Sequence, residues 1–104
     1  MATQNEPLEK TIVASIMRWL KKQPDCHAEK RHGGMYGSAG RPDITGCVEG
    51  RRFEIEVKRP SGKTTKLQEI ELAKWKQAGA ITGVARSLSD AKEIFEKAKR
   101  KAGK

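Results

Sequence analysis

The first apolar pattern along the chain has the period of a helix. Near the N-terminus, side chains spaced three or four residues apart share one helical face: Leu8, Ile12, Ile16, Trp19 and Leu20. This spacing predicts a helix over residues 6–23. Asn5 is the expected N-cap, Pro7 stands in the first turn, where a missing N–H is harmless, and Pro24 ends the helix.

The middle of the chain changes to the period of a strand. Residues 43–48 and 52–58 predict two strands, which residues 49–51 join as a hairpin turn. In the second strand the two faces alternate, with Phe53, Ile55 and Val57 on one and Glu54, Glu56 and Lys58 on the other. Residues 26–30 predict another short strand, and residues 31–42 a glycine-rich loop that can approach a ligand closely.

The C-terminal half predicts two more helices around a strand. Thr65 and Gln68 have the spacing of a capping box, which places a helix over residues 66–78. Residues 80–85 predict a buried strand, and Ser89 is the expected cap of the last helix.

The middle helix carries two apolar stripes. They are Leu67, Ile70, Ala73 and Ala78 on one side, and Gln68, Leu72 and Trp75 on the other. A helix with two stripes contacts two neighbours, and the sheet is one candidate. The stripe with Leu72 and Trp75 is expected either to pack against the first helix or to form the surface of a dimer.

The order of these elements is typical of an α/β fold. A helix, three strands, a helix, a strand and a helix predict a small mixed sheet flanked by helices. At 104 residues the chain has room for one domain, over residues 1–104, with a basic tail from about residue 97 that is expected to fray.

The charge of the chain is strongly positive. It has 22 Lys and Arg against 13 Asp and Glu, for a formal net charge of +9. This favours a polyanionic partner, with nucleic-acid phosphates ahead of a membrane surface, because the basic helices lack a strongly apolar face. No apolar run approaches the ~18–20 residues of a membrane span. The first residues resemble no secretory signal, so we expect a cytoplasmic protein without a membrane partner.

Cysteine and histidine offer a second kind of site. Two cysteines cannot build a disulfide framework, and they fit a reducing compartment. A zinc site could be drawn from Cys26, His27, His32 and Cys47, but their spacing matches no common zinc pattern. Cys47 is better explained as a small strand residue.

Two acids and a lysine stand on the predicted hairpin. Asp43 begins one strand and Glu56 lies near the end of the other, so we expect the two carboxylates to meet across the ladder. Such a pair repels unless a cation lies between its members, and oxygen ligands favour Mg²⁺ or Mn²⁺ over zinc. Lys58 projects from the same face and can stabilise charge on an attacked phosphate. Together they suit phosphodiester hydrolysis. Taken alone, Asp43 after a proline is more typical of the start of a strand or turn, and Glu56 with Lys58 of a solvated strand face.

The same residues resemble a nuclease motif. Gly40-Arg41-Pro42-Asp43 is followed by Glu56-Val57-Lys58 and then by Gln68. This ordered set resembles the PD-(D/E)XK nuclease superfamily and, within it, the virus-type replication-repair nuclease (VRR-NUC) family. The resemblance runs from about Glu9 to Ser87, and it implies the restriction-endonuclease-like core of that superfamily.

The resemblance implies a role for each residue of the motif. Asp43 and Glu56 would bind Mg²⁺ or Mn²⁺ together with the backbone carbonyl of Val57. Lys58 would position and activate the attacking water.

Two further residues carry roles that the resemblance implies. Gln68 would support the site from the following helix, and Glu9 matches an acidic residue that the family places near the metal. Each also has a simpler explanation, since Gln68 completes a capping box and Glu9 suits the first turn of any helix.

Basic and aromatic residues around the motif are candidate DNA contacts. They are Lys30, Tyr36, Arg41, Lys63 and Lys66. Tyr36 would stack on a base or pack within its loop, and Lys63 and Lys66 would contact phosphates or remain solvated.

Two functions from different classes follow. The first is an Mg²⁺- or Mn²⁺-dependent DNA endonuclease without an organic cofactor. The resemblance implies a structure-specific enzyme for branched DNA, in the manner of Holliday-junction resolvases, serving replication, recombination or repair in a bacterial or phage-infected cell. Cutting two strands calls for two sites, which favours a homodimer. The alternative is a basic DNA-binding module without catalysis, whose binding would depend on salt and not on metal.

Overall fold

The helices and strands follow one another in the predicted order. A computed structural model describes residues 5–32 and 39–102, and Tyr36 lies outside them. The elements are α1 (Glu9–Leu20), β1 (Cys26–Lys30), β2 (Ile44–Val48), β3 (Arg51–Val57), α2 (Lys66–Gln77), β4 (Ile81–Ala85) and α3 (Leu88–Ala102). The predicted α/β fold class is therefore confirmed. None of the described helices is long and apolar enough to cross a bilayer.

The strands form one mixed sheet in the order β1-β2-β3-β4. β1 and β3 both pair antiparallel with β2, and β4 joins β3 in parallel. The β2–β3 turn is one residue shorter than predicted, because Arg51 already pairs with Val48. Its two residues, Glu49 and Gly50, have φ values of 51° and 85°, and positive φ at both positions is what a tight type I′ hairpin turn requires.

The core lies between the sheet and the helices α1 and α3. The predicted alternation of β3 holds, since Phe53, Ile55 and Val57 are all fully buried in this core. Phe95 of α3 meets Phe53 and Trp19 edge-on, with ring centroids 5.9 and 5.0 Å apart. Such T-shaped pairs add stabilisation beyond the buried area. The other face of β3, with its charged side chains, therefore points toward α2.

The first helix begins later than predicted. Its first residue is Glu9 and its N-cap is Leu8, which provides no side-chain hydrogen bond, so the prediction of Asn5 as cap is wrong. The preceding Glu6 is engaged elsewhere. Its carboxylate accepts hydrogen bonds from the backbone N–H and the hydroxyl of Ser61, at 2.6 and 2.7 Å. The residue that the prediction places in the first turn therefore makes a tertiary contact instead.

The last helix begins earlier than predicted. Ser87, and not Ser89, is its cap, because the Ser87 hydroxyl accepts a hydrogen bond from the backbone N–H of Asp90 at 3.2 Å. The Asp90 carboxylate in turn accepts from the backbone N–H of Arg86 at 2.8 Å. The two bonds satisfy donors at the helix start that would otherwise have no partner.

The helix α2 begins at the predicted capping box and lies on the charged face of the sheet. Each member of the box accepts a hydrogen bond from the other. The Gln68 N–H donates to Thr65 Oγ1 at 3.1 Å, and the Thr65 N–H donates to Gln68 Oε1 at 2.8 Å. Trp75 is half-buried against arginines of the sheet side, so the expectation that it faces α1 or a second subunit is wrong. The outward stripe contains Leu67 and Ile70, which are 55% and 43% exposed.

Candidate active site on the β2–β3 hairpin

Asp43 and Glu56 lie opposite each other at one end of the hairpin. The ladder pairs Ile44 with Ile55, and the two acids are the next residues on their strands. Asp43 Oδ2 accepts a hydrogen bond from the backbone N–H of Val57 at 2.7 Å, which fixes its carboxylate beside Glu56. The structure thus brings together the two acids that the sequence pattern pairs.

Glu56 is a buried carboxyl with an incomplete set of partners. Its side chain is 2% exposed, and its Oε2 lies 3.9 Å from the ammonium of Lys58. Its Oε1 is buried without a hydrogen-bond partner. Burial, the charge of Asp43 and a hydrogen bond between the two carboxyls raise the pKa of Glu56 to about 8, although the charge of Lys58 acts in the opposite direction. The charge of Lys58 alone therefore does not offset the cost of ionising Glu56 beside Asp43.

Lys58 stands where the sequence pattern puts it, on the same side of the strand as Glu56. Its backbone N–H donates to the carbonyl of Ala85 at 3.0 Å, which continues the parallel pairing beyond β3. Its side chain is only 11% exposed. A cation held this firmly beside an acid pair can stabilise negative charge that develops on a substrate without much rearrangement.

A cleft of about 330 Å³ opens beside Asp43, and Glu9, Lys10, Val13 and Lys30 are among the residues that line it. Glu9 is the first residue of α1, and its charge contributes to the raised pKa of Glu56. Lys30 is exposed at the end of β1. Both predicted residues therefore lie next to the acid pair, and the cleft gives a substrate access to it.

The oxygen atoms at the hairpin suit a hard divalent cation. The carboxylates of Asp43 and Glu56 and the carbonyl of Val57 are the donors that Mg²⁺ and Mn²⁺ prefer. The unpartnered Oε1 of Glu56 favours a cation here, because a buried carboxylate oxygen without a partner is costly. Among the described residues, no three or more His, Cys, Asp or Glu are grouped to hold one ion. Coordination by Glu9 therefore stays a prediction, and solvent would complete the ligand set, as is common for Mg²⁺.

The cysteines and histidines form no comparable group in the described part of the chain. His27 and Cys47 are partners across the β1–β2 ladder. Burial is the main cause of a raised pKa for the Cys26 thiol, and the charge of the nearby Cys47 raises this pKa further. This disfavours the thiolate that zinc binding requires.

The first turn of α2 contacts the loop that precedes Asp43. Gly40 has a φ of 82°, and a Cβ at this position would lie 2.8 Å from the carbonyl carbon and oxygen of Leu67. Gln68 is the next residue of α2 and is half-buried, with its Oε1 engaged in the capping box. The remaining predicted DNA contacts lie near this contact between α2 and the loop, and their side chains are exposed. They are Arg41, Lys63 and Lys66.

Behind the acid pair lies a buried ionic network that the sequence pattern did not predict. Glu54 is fully buried and accepts hydrogen bonds from Arg31 at 2.7 Å, Arg52 at 2.9 Å and the Thr45 hydroxyl at 2.5 Å. The indole of Trp75 covers both guanidinium groups, at 5.4 Å from Arg31 and 4.4 Å from Arg52. Three hydrogen bonds and two cations compensate the burial of this carboxylate.

Arg31 connects this network to the acid pair. Its guanidinium donates to the carbonyl of Pro42 at 2.9 Å as well as to Glu54, and its backbone N–H donates to the carbonyl of Asp43 at 2.7 Å. Arg31 therefore holds the backbone at Asp43 in place. The order of the strands is the feature of the sequence that could have indicated this network. When a strand has neighbours on both sides, charged residues on one of its faces indicate buried ion pairs rather than solvated ones.

Comparisons with known proteins agree with this architecture. No family model and no curated protein matches the chain. Among solved structures, a VRR_NUC domain protein matches with a TM-score of 0.72, covering 92% of this chain and 91% of that chain at 17% identity. At this identity the likeness concerns the fold. The chain therefore has the fold of a VRR_NUC domain protein, as the resemblance in its sequence implies.

Proposed function

We propose that the protein is a nuclease that hydrolyses phosphodiester bonds of DNA and depends on Mg²⁺ or Mn²⁺. The observation that carries the proposal is the Asp43–Glu56 pair, in which Glu56 is buried with one unpartnered oxygen and lies 3.9 Å from the Lys58 ammonium. The fold of a VRR_NUC domain protein supports it. The cation would be held by both carboxylates and the Val57 carbonyl, and when bound it supplies Lewis acidity and positive charge.

The chain itself supplies orientation and a second positive charge. The Val57 N–H and Arg31 hold Asp43 in position. In the proposed mechanism Lys58 orients the attacking water, whose oxygen adds to phosphorus while the bond to the leaving oxygen breaks. The ammonium also stabilises the charge that develops on the phosphate. Gln68 supports this arrangement from the first turn of α2.

We further propose branched DNA as the substrate and a homodimer as the working form, in the cytoplasm of a bacterial or phage-infected cell. A junction is resolved by cutting two strands, and a symmetric dimer presents two identical sites. The exposed Leu67 and Ile70 of α2 are the candidate contact surface between the two copies. Light scattering over a range of concentrations tests this, and a monomer mass throughout would contradict the dimer.

A panel of substrates tests the activity and its specificity. A four-way junction, a flap and a linear duplex are each incubated with the protein in Mg²⁺, in Mn²⁺ or in EDTA. We expect cutting that requires the metal and favours the two branched substrates, the junction and the flap, over the linear duplex. Equal rates on all three substrates would contradict the preference for branched DNA, and salt-sensitive binding without cutting in either metal would support the non-catalytic module instead.

A further inference from the structure

A groove continues from the candidate active site along α1 and the edge strand β1. It has a volume of about 690 Å³, with Lys10, Arg18, Lys21 and Lys30 at its sides and Val13 and Met17 in its floor. Lys10, Val13 and Lys30 also line the cleft beside Asp43. A polymeric substrate whose scissile bond lies at the acid pair can therefore extend directly into this groove.

The charge of the groove is not neutralised by the protein. Its four cationic side chains are all exposed, and in the described part of the chain none of them forms an ion pair. Glu29 is the acidic residue in the groove, and it lies 3.3 Å from the ring of His27. A surplus of three positive charges along one groove, four cations against one acid, suits the repeating phosphates of a nucleic acid.

The floor of the groove distinguishes between forms of nucleic acid. Val13 and Met17 are buried, and Ala28 beside them is half-buried, so the floor is aliphatic. A duplex presents phosphates on its outside and keeps the faces of its bases stacked within. An unpaired strand offers phosphates to the basic sides, and its bases and sugars can remove apolar surface from water against this floor. Aliphatic side chains give such contacts without reading the sequence.

We propose that this groove binds an unpaired DNA strand next to the scissile phosphate, an inference that rests on the proposed nuclease function. Arg18 and Lys21 contact phosphates of that strand at the end of the groove away from Asp43. The favoured substrate therefore carries a single-stranded segment beside the cut, and not only a bend or a branch in paired DNA.

Binding without metal tests the groove independently of catalysis. The full chain is titrated in EDTA against a fluorescent oligonucleotide that cannot pair with itself, over a series of salt concentrations. The test variant is Arg18→Gln with Lys21→Gln, and the matched control is Lys97→Gln with Arg100→Gln, which removes two exposed charges from α3. Because each single-strand phosphate contact contributes about 0.7 to the slope of log affinity against log salt, the test variant should lower the slope by about 1.4. Its affinity should fall on the order of tenfold at moderate salt.

Three results would overturn the proposal. They are a slope equal to that of the control variant, an equal loss of affinity for a blunt duplex, and displacement of the oligonucleotide by polyglutamate as readily as by unlabelled DNA. Conversely, Glu29→Gln should tighten binding of the single strand severalfold. Since cutting plays no part in these measurements, absence of nuclease activity in the substrate panel would refute the proposed function while leaving the result for the groove intact.

Discussion

The Glu56→Gln substitution is expected to remove a pH dependence from the stability of the protein. In the native state, burial and Asp43 raise the pKa of Glu56 to about 8, whereas the ordinary value is 4.5. The native state therefore binds this proton more tightly than the unfolded chain. The free energy of unfolding consequently falls as the pH rises between these two values.

The size of the effect follows from the width of this window. Each pH unit within it lowers the free energy of unfolding by about 1.4 kcal/mol. Wild-type protein should therefore lose on the order of 4 kcal/mol through Glu56 between about pH 5 and pH 8. Glutamine keeps the shape of the side chain and has no proton to lose, so the stability of the variant relative to wild type should rise with pH by the same amount.

Urea unfolding in EDTA, followed by circular dichroism across this pH range, measures the difference. Glu96→Gln, at an exposed position of α3, is the control and should follow the wild-type curve. Curves for wild type and Glu56→Gln that run parallel would refute the assigned pKa. At pH 8, Mg²⁺ at a hundred times its Kd should restore about 2.7 kcal/mol to wild type and nothing comparable to the variant.

Two further pairs of substitutions test how the acid pair is supported. Arg31→Met should lower the free energy of unfolding in urea by about 3 kcal/mol, because it removes a partner of the buried Glu54. Arg52→Met should lower it by about 1 kcal/mol, because the Arg52 side chain is 48% exposed. Equal losses would show that the network does not depend on burial. Gly40→Ala and Gly50→Ala share a positive φ, but only the former meets backbone atoms, so it should lose more stability and should also slow cutting. If the two alanine variants cut DNA equally fast, the contact of α2 does not position the site.

The sequence was sufficient to predict the hairpin and its acid pair. The alternation of β3 assigned Phe53, Ile55 and Val57 to the core. The short connection between the two strands brought Asp43 close to Glu56, although the turn is one residue shorter than predicted. The start of α2 was equally predictable. A capping box is a local interaction, and both of its hydrogen bonds are present.

What the sequence did not predict depends on contacts between distant segments. Glu6 binds Ser61, 55 positions later in the chain, and α1 begins only after this contact, at Glu9. Glu54 is separated by 23 positions from Arg31, and alternation alone gives it the pattern of a solvated strand residue. Only the covering of that face by α2, through Trp75, makes it a buried ion pair.

Cutting of a four-way junction by active-site variants tests the central claim most directly. Wild type, Asp43→Asn, Lys58→Met and the exposed control Lys97→Met are compared in Mg²⁺, and binding of the same junction is measured in parallel. If these residues form the active site of a metal-dependent nuclease, both active-site variants should lose at least about a hundredfold in cutting rate. Their binding of the junction should stay within a fewfold of wild type. Cutting by either variant at the rate of wild type and of the control would contradict the assignment of the site.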